Sequence, residues 1–250
     1  MDALKRKDAP FGVLDTHAGV GLYDFDAAEA QRSPELRDGV ARLWDWDNPP
    51  TLIRAYLDLV RASNPDGKLR FYPGSPAIIA ALLRAQDRLA ACELHPDDAA
   101  ELRARFARSA NVQIHARDGW EALQALLPLP ERRGLVLIDP PYEEPGELEH
   151  AAHAISGALK RFGHGIYLWW RPLKSESALA RVDAEVKAQG ARETLRADLW
   201  IDTPTPQGKL VGSSLLLINP PFGLEAALRE TLPLLAEKLA IGAGGGYRIA

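Results

Sequence analysis

Leu135-Val136-Leu137-Ile138-Asp139-Pro140-Pro141-Tyr142 is the stretch on which the reading of this chain turns. Four consecutive apolar residues run straight into an acid and two prolines. A run so short, without polar alternation, fits a strand buried on both faces, and the prolines cannot continue it. Four further runs share the pattern: Gly12-Val13-Leu14-Asp15, Leu89-Ala90-Ala91-Cys92-Glu93, Val112-Gln113-Ile114-His115 and Gly165-Ile166-Tyr167-Leu168-Trp169-Trp170. Helix-period stretches lie between them. Ser75-Pro76 opens one, with serine as the expected N-cap and proline at the first helical position. His95-Pro96-Asp97 opens another that runs to about Arg108. Others cover roughly 119–127, 147–162, 176–189 and 224–239. Strand and helix in alternation predict a doubly wound α/β sheet.

The last two apolar runs, Leu195 to Ile201 and Ser214 to Asn219, differ. Asp202 to Gly212 joins them with prolines and glycines and no room for a helix, so an antiparallel hairpin is expected. Five parallel strands finished by a hairpin, seven in all, resemble the Rossmann-like class I methyltransferase fold. Asp26 to Arg70 breaks the alternation. It holds two helical patches, about Pro34 to Trp44 and Pro50 to Ala62, with turn signals at Asn48-Pro49-Pro50 and Asn64-Pro65-Asp66-Gly67. The expected division is 1–25 with 71–250 as the main domain and 26–70 as a small helical insertion. No internal repeat is evident, and Gly242 to Gly246 reads as a glycine-rich tail.

Composition bounds the function. The 250 residues are 46% hydrophobic and 26% charged, ordinary for a globular domain with a sizeable core. No apolar run approaches the roughly 20 residues of a membrane span, and the charged start, Met1 to Pro10, does not read as a signal peptide. A cytoplasmic location is expected. Cys92 is the single cysteine, which excludes a disulfide framework and argues against a cysteine metal site. The histidines are scattered, with no His-Glu-x-x-His pattern, and no Gly-x-Ser-x-Gly elbow is present, so metal and α/β-hydrolase chemistry are not expected. The net charge of −4 argues against a strongly basic nucleic-acid coat. Arginines cluster at Arg84, Arg88, Arg103, Arg105 and Arg108 and at Arg132 and Arg133, where solvated helix faces account for them. Nucleic-acid binding would then rest on a local patch, shape and pocket contacts.

Three candidate ligand contacts precede the opening stretch. In Asp15-Thr16-His17-Ala18-Gly19-Val20-Gly21, Gly19 and Gly21 let the backbone turn and approach a ligand closely. The pattern resembles the Asp-x-x-x-Gly-x-Gly loop that methyltransferases place under the amino-acid part of S-adenosylmethionine; a plain tight turn explains it as well. His17 is either a cofactor contact or a satisfied loop residue. Glu93 ends its strand, where a carboxylate can accept from both hydroxyls of an adenosine ribose. Such an acid usually follows the glycine loop by about 20 residues; here 72 positions separate Gly21 from Glu93, and the insertion accounts for the excess. Asp118 can accept from an adenine amine and Gly119 permits close approach, although an N-cap followed by a turn residue fits equally.

Asp139-Pro140-Pro141-Tyr142 carries the sharpest chemistry. The prolines fix the backbone and remove two donors. The Asp139 side chain and the Pro140 carbonyl can both accept from an –NH2 group, which aims its lone pair at an electrophilic methyl: catalysis by orientation. Tyr142 offers a flat face on which a base can stack. This stretch resembles the Asp/Asn-Pro-Pro-Tyr/Phe signature of amino-methyltransferases. Asn219-Pro220-Pro221-Phe222 fits the same signature. Order favours Asp139, which follows the fourth parallel strand, whereas Asn219 ends the hairpin and is expected to shape its end.

Taken together, Asp15 to Gly19, Tyr72-Pro73-Gly74-Ser75-Pro76, Glu93-Leu94-His95-Pro96, Asp118-Gly119, Gly134 to Tyr142 and Asn219-Pro220-Pro221 resemble the RlmJ family of bacterial 23S ribosomal RNA adenine-N6 methyltransferases over nearly the whole chain. The resemblance implies S-adenosylmethionine as cofactor, with His17, Ser75, Glu93, Asp118 and Gly119 in contact with it. It implies Asp139 as catalytic residue and 23S rRNA as partner, and it too implies a helical subdomain at the insertion. A monomer acting on RNA that is protein-free or partly assembled is expected. The chain departs from the family at its start, where members carry a further segment rich in histidine and aromatic residues that helps cover the cofactor and contact RNA. Here only 14 residues precede Asp15. Reduced cofactor affinity and RNA activity are expected from that difference. The alternatives are a DNA adenine-N6 methyltransferase, a protein-glutamine methyltransferase, and an inactive cofactor- or RNA-binding homologue.

Overall fold

In the computed structural model, residues 1–27, 38–203, 210–241 and 244–250 are described. The five apolar runs form five adjacent parallel strands: β1 (Gly12–Asp15), β4 (Arg88–Glu93), β5 (Val112–Ala116), β6 (Gly134–Ile138) and β7 (Ile166–Pro172). They lie in the order β5-β4-β1-β6-β7. The hairpin follows as β8 (Thr194–Trp200) and β9 (Gly212–Ile218), antiparallel to each other, with β9 also antiparallel to β7. The class I methyltransferase architecture is thus present. An eighth strand, β10 (Gly246–Ile249), adds to the expected seven by pairing antiparallel with β8 at the sheet edge. The glycine-rich stretch is therefore partly strand, and its 242–243 lie outside the described residues, as do 204–209 of the hairpin connection.

Helices lying wholly within the described residues are α1 (Asp2–Lys5), α2 (Ala41–Trp44), α3 (Thr51–Ala62), α4 (Ser75–Leu82), α5 (Pro96–Arg105), α6 (Gly119–Ala125), α7 (Glu147–Arg161), α8 (Glu176–Ala188) and α9 (Leu224–Leu239). Both sheet faces are covered. Leu14, Cys92, Val136 and Ile138 pack with Leu123, Ile155 and Val182 of α6, α7 and α8. Their strand neighbours Val13, Leu89 and Ala91 point the other way, against Ile79 and Leu102 of α4 and α5. Adjacent residues of β1, β4 and β6 thus enter opposite cores, which is why those runs are apolar without alternation, whereas Val112-Gln113-Ile114-His115 of the edge strand β5 alternates and turns Val112 and Ile114 to one core. Each fully buried leucine among them contributes roughly 1.5–3 kcal/mol.

Two short strands, β2 (Leu22–Asp24) and β3 (Phe71–Pro73), form an antiparallel ribbon apart from the main sheet. Their pairing brings Asp24 beside Phe71, at the two ends of the stretch that broke the alternation. Within that stretch 28–37 lie outside the described residues, so only part of the expected Pro34 to Trp44 patch is seen, as α2. Leu43, Ile53 and Leu57 pack against Leu239 of α9. The arrangement at α4 differs from expectation. Gly74 is the N-cap, Ser75 begins the helix and makes no cap bond, and Pro76 stands at the second helical position. The Ser75 hydroxyl is engaged elsewhere.

Candidate active site

Parallel strands put their carboxyl ends on one edge of the sheet, where α/β proteins bind ligands. Four acids meet that edge: Asp15 ending β1, Glu93 ending β4, Asp118 just past β5 and Asp139 just past β6. The loop after β1 is tied to both neighbours. Thr16 N–H donates to the Leu137 carbonyl at 3.1 Å and Ala18 N–H to the Cys92 carbonyl at 2.9 Å. Gly19 and Gly21 have φ of 63° and 79°, the left-handed region that favours glycine. The sequence-based reason for these glycines therefore holds at the level of the backbone.

Asp15 is fully buried. Its Oδ2 accepts the Ser75 hydroxyl at 2.7 Å, while Oδ1 makes no hydrogen bond of standard geometry. Burial, opposed by the Ser75 bond and by the backbone N–H of His17 and reinforced by the charges of Asp139 and Glu93, raises the carboxyl to about 7. The protein crowded around Asp139 raises its carboxyl to about 6, although the residue is reachable from the surface. A buried carboxylate oxygen short of hydrogen bonds is costly unless a donor meets it. A buried Asp15 beside the charges of Asp139 and Glu93 suits a ligand that carries positive charge and N–H donors.

Glu93 buttresses this cluster. Its Oε2 accepts from Gly19 N–H and its Oε1 from His95 N–H, both at 2.8 Å, so one carboxylate joins the glycine loop to the end of β4. Asp118 caps α6: its Oδ1 accepts from the backbone N–H of Trp120 at 2.8 Å and Glu121 at 2.9 Å. The capping reading is thus realised, and Oδ2 is left for a ligand. A Cβ at Gly119 would collide with the Thr16 carbonyl and press on the His17 ring. Gly119 lets α6 close on the β1 loop, a close approach of the chain to itself.

Thr16 Oγ1 bonds both the Leu137 carbonyl, as donor at 3.1 Å, and His17 Nδ1 at 2.8 Å; when its proton lies on the carbonyl, Nδ1–H donates to the hydroxyl. Burial, against the opposing charge of Asp118, lowers the imidazole to about 4. In that tautomer the neutral ring leaves Nε2 as an acceptor. Its edge meets Trp120 at 4.8 Å, and Trp120 in turn meets His150 at 5.1 Å.

Tyr142 stands at φ 55°, and its hydroxyl donates to the Trp170 carbonyl at 2.8 Å. Burial raises its phenol well above the ordinary value. The rival Asn219 lies at the other edge of the sheet. β9 runs antiparallel to β7 and pairs Ile218 with Tyr167, near the start of β7, whereas Ile138 pairs with Trp169 further along. Asn219 Nδ2 donates to the Gly163 and Gly165 carbonyls at 3.0 and 2.7 Å, closing the turn into β7. The structure therefore gathers His17, Gly19, Ser75, Glu93, Asp118, Gly119 and Asp139 on one edge and sets Asn219 apart.

Tyr23 reaches the same edge without any signal in the sequence. Its hydroxyl lies against Gly19, where a Cβ would collide with it, and its ring edge approaches Gly74. Burial and the charges of Glu93, Asp139 and Asp15 raise its phenol. It reaches this position because β2 pairs it with Tyr72, a contact between distant positions with no local signal.

The family model described as "Ribosomal RNA large subunit methyltransferase D, RlmJ" matches residues 8–250. The chain belongs to this family. Two relatives called "Ribosomal RNA large subunit methyltransferase J" support that membership. The Escherichia coli K12 protein is 39% identical over 247 residues, covering 99% of this chain and 88% of the relative. The Haemophilus influenzae protein is 38% identical over 250 residues, covering 100% and 89%. A crystal structure of a Legionella pneumophila protein matches with a TM-score of 0.91 at 32% identity, over 100% of this chain and 91% of that one. No described helix is long and apolar enough to cross a membrane. Among the described residues no group of three His, Cys, Asp or Glu could hold a metal ion.

Proposed function

We propose that this chain transfers a methyl group from S-adenosylmethionine to N6 of an adenine in 23S ribosomal RNA. The observation that carries this reading is the convergence of Asp139-Pro140-Pro141-Tyr142 with Asp15, Ser75 and Glu93 at one sheet edge, in a chain of the RlmJ family. The buried Asp15 carboxylate and the neighbouring acids fit a cofactor that bears an ammonium and a sulfonium. When bound, that cofactor supplies an electrophilic methyl.

The residues divide the work. His17, Gly19, Gly21, Ser75 and Asp15 line the side where the amino-acid part would lie. Glu93 accepts from the ribose hydroxyls, and Asp118, beside Gly119, accepts from the cofactor's adenine amine. Asp139 borders the cofactor and is also the catalytic residue: its carboxylate and the Pro140 carbonyl accept from the target N6 amine and aim its lone pair. Tyr142 stacks on the target base, which the RNA presents unpaired. No base need remove a proton before transfer, because the attacking nitrogen can lose it afterwards.

The same reading includes a monomer acting in the cytoplasm on RNA that is protein-free or partly assembled, and residues 26–70 as a helical insertion carried on the β2–β3 ribbon. Labelled methyl transfer offered to unmodified 23S RNA, DNA and protein tests it. Transfer to 23S RNA alone is expected; preferential transfer to DNA or protein overturns it.

A further inference from the structure

The Tyr142 hydroxyl does more than meet the Trp170 carbonyl. It also accepts the indole N–H of Trp169, at 2.6 Å. Trp169 is fully buried and sits in β7 directly beside Ile138, the residue before Asp139. Its ring is itself clamped: the Arg171 guanidinium lies 5.0 Å from the ring centroid. Arg171 is fully buried and held by Asp183 and by Ser214 Oγ. Trp170, the next residue, sets its ring 5.7 Å from that of Tyr142 at 49°. Tyr142 occupies the left-handed region, where a bulky residue stays only when its surroundings hold it.

We infer that Trp169 is a positioning residue: its indole N–H fixes the Tyr142 ring in the orientation that receives the target base. This inference rests on Tyr142 being the stacking surface in the proposed reaction. A phenol that both accepts from Trp169 and donates to Trp170 cannot swing about its backbone without breaking two hydrogen bonds. The base slot is therefore set by β7 as much as by the Asp-Pro-Pro-Tyr loop. The buried Arg171 keeps the indole from tilting, and the chain of contacts from Ser214 and Asp183 through Arg171 and Trp169 to Tyr142 is continuous.

A double-mutant cycle tests this. Trp169→Phe, Tyr142→Phe and the double variant are compared for kcat/KM on 23S RNA and, separately, for cofactor Kd. Trp169→Phe should lower kcat/KM about five-fold, as expected for one hydrogen bond of ordinary net strength, and leave cofactor Kd unchanged. In the Tyr142→Phe background the same substitution should have no further effect, because its target hydroxyl is gone. Equal losses in both backgrounds would mean that Trp169 acts through packing alone and overturn the inference; so would an unchanged kcat/KM with Tyr142 present. Should Trp169→Phe fail to fold, benzothienylalanine at position 169 keeps the ring shape without the N–H and is judged by the same outcomes. Lack of transfer by the unaltered chain overturns the proposed reaction, whereas failure of Trp169's role leaves that transfer intact.

Discussion

Ser75 and Asp15, sixty positions apart, meet through a 2.7 Å hydrogen bond in which the serine hydroxyl donates to Oδ2 of a buried carboxylate. That bond opposes the burial that drives Asp15 toward its neutral form. Ser75→Ala should therefore weaken S-adenosylmethionine binding about ten-fold at pH 7, as loss of a hydrogen bond to a charged group does. Titration calorimetry at pH 7 and 9 checks it. The deficit should narrow at pH 9, where Asp15 is ionised in both proteins; a constant deficit would mean that the hydroxyl acts on the cofactor alone.

Ionising Asp15 opposes folding of the ligand-free chain, because its carboxyl is raised in the fold. The penalty is absent below the ordinary carboxylate range, grows as pH rises from about 4 to about 7, and is complete above that. Asp15→Asn should raise the melting temperature by roughly 5 °C at pH 8, the shift that one to two kcal/mol produces in a chain of this size, and by little at pH 4. Thermal scans at the two pH values read this directly.

Asp139, raised to about 6, must be ionised to accept from the target amine. kcat/KM for the RNA should fall about ten-fold per pH unit below 6 and level off above it. A profile flat between pH 5 and 8 would remove the carboxylate from the rate-determining interaction.

Gly119→Ala drives a methyl into the Thr16 carbonyl. Separating α6 from the β1 loop should cost about 1–3 kcal/mol, measured by denaturant unfolding, and weaken cofactor binding with it. Asn219→Ala should cost a similar amount, since it loses two hydrogen bonds and places alanine at φ 54°, yet leave cofactor Kd unchanged.

Much of this arrangement is legible in the sequence where the cause is local. Leu135 to Ile138 reads as a doubly buried strand because four apolar residues end at an acid and two prolines. Gly19 and Gly21 read as a turn because their backbone demands it. What eluded the sequence depends on distant partners. Gly246-Tyr247-Arg248-Ile249 joins the sheet as Arg248 pairs with Asp198 and Glu176, each at 2.5 Å, which no local pattern discloses. Three-residue strands such as β2 exist only through their pairing, so Tyr23 could not be placed at the site. Ser75 looks like a helix cap until Asp15 is seen beside it. Chain order favours Asp139 over Asn219, and strand direction supplies a geometric reason: an antiparallel strand delivers its carboxyl end to the opposite edge.

The most direct test of the central claim is mass spectrometry of unmodified 23S RNA after incubation with the chain and S-adenosylmethionine. The account predicts N6-methyladenosine at a single site, abolished by Asp139→Ala while cofactor binding persists. Undiminished methylation by Asp139→Ala, or a methyl group elsewhere than on adenine N6, would contradict it.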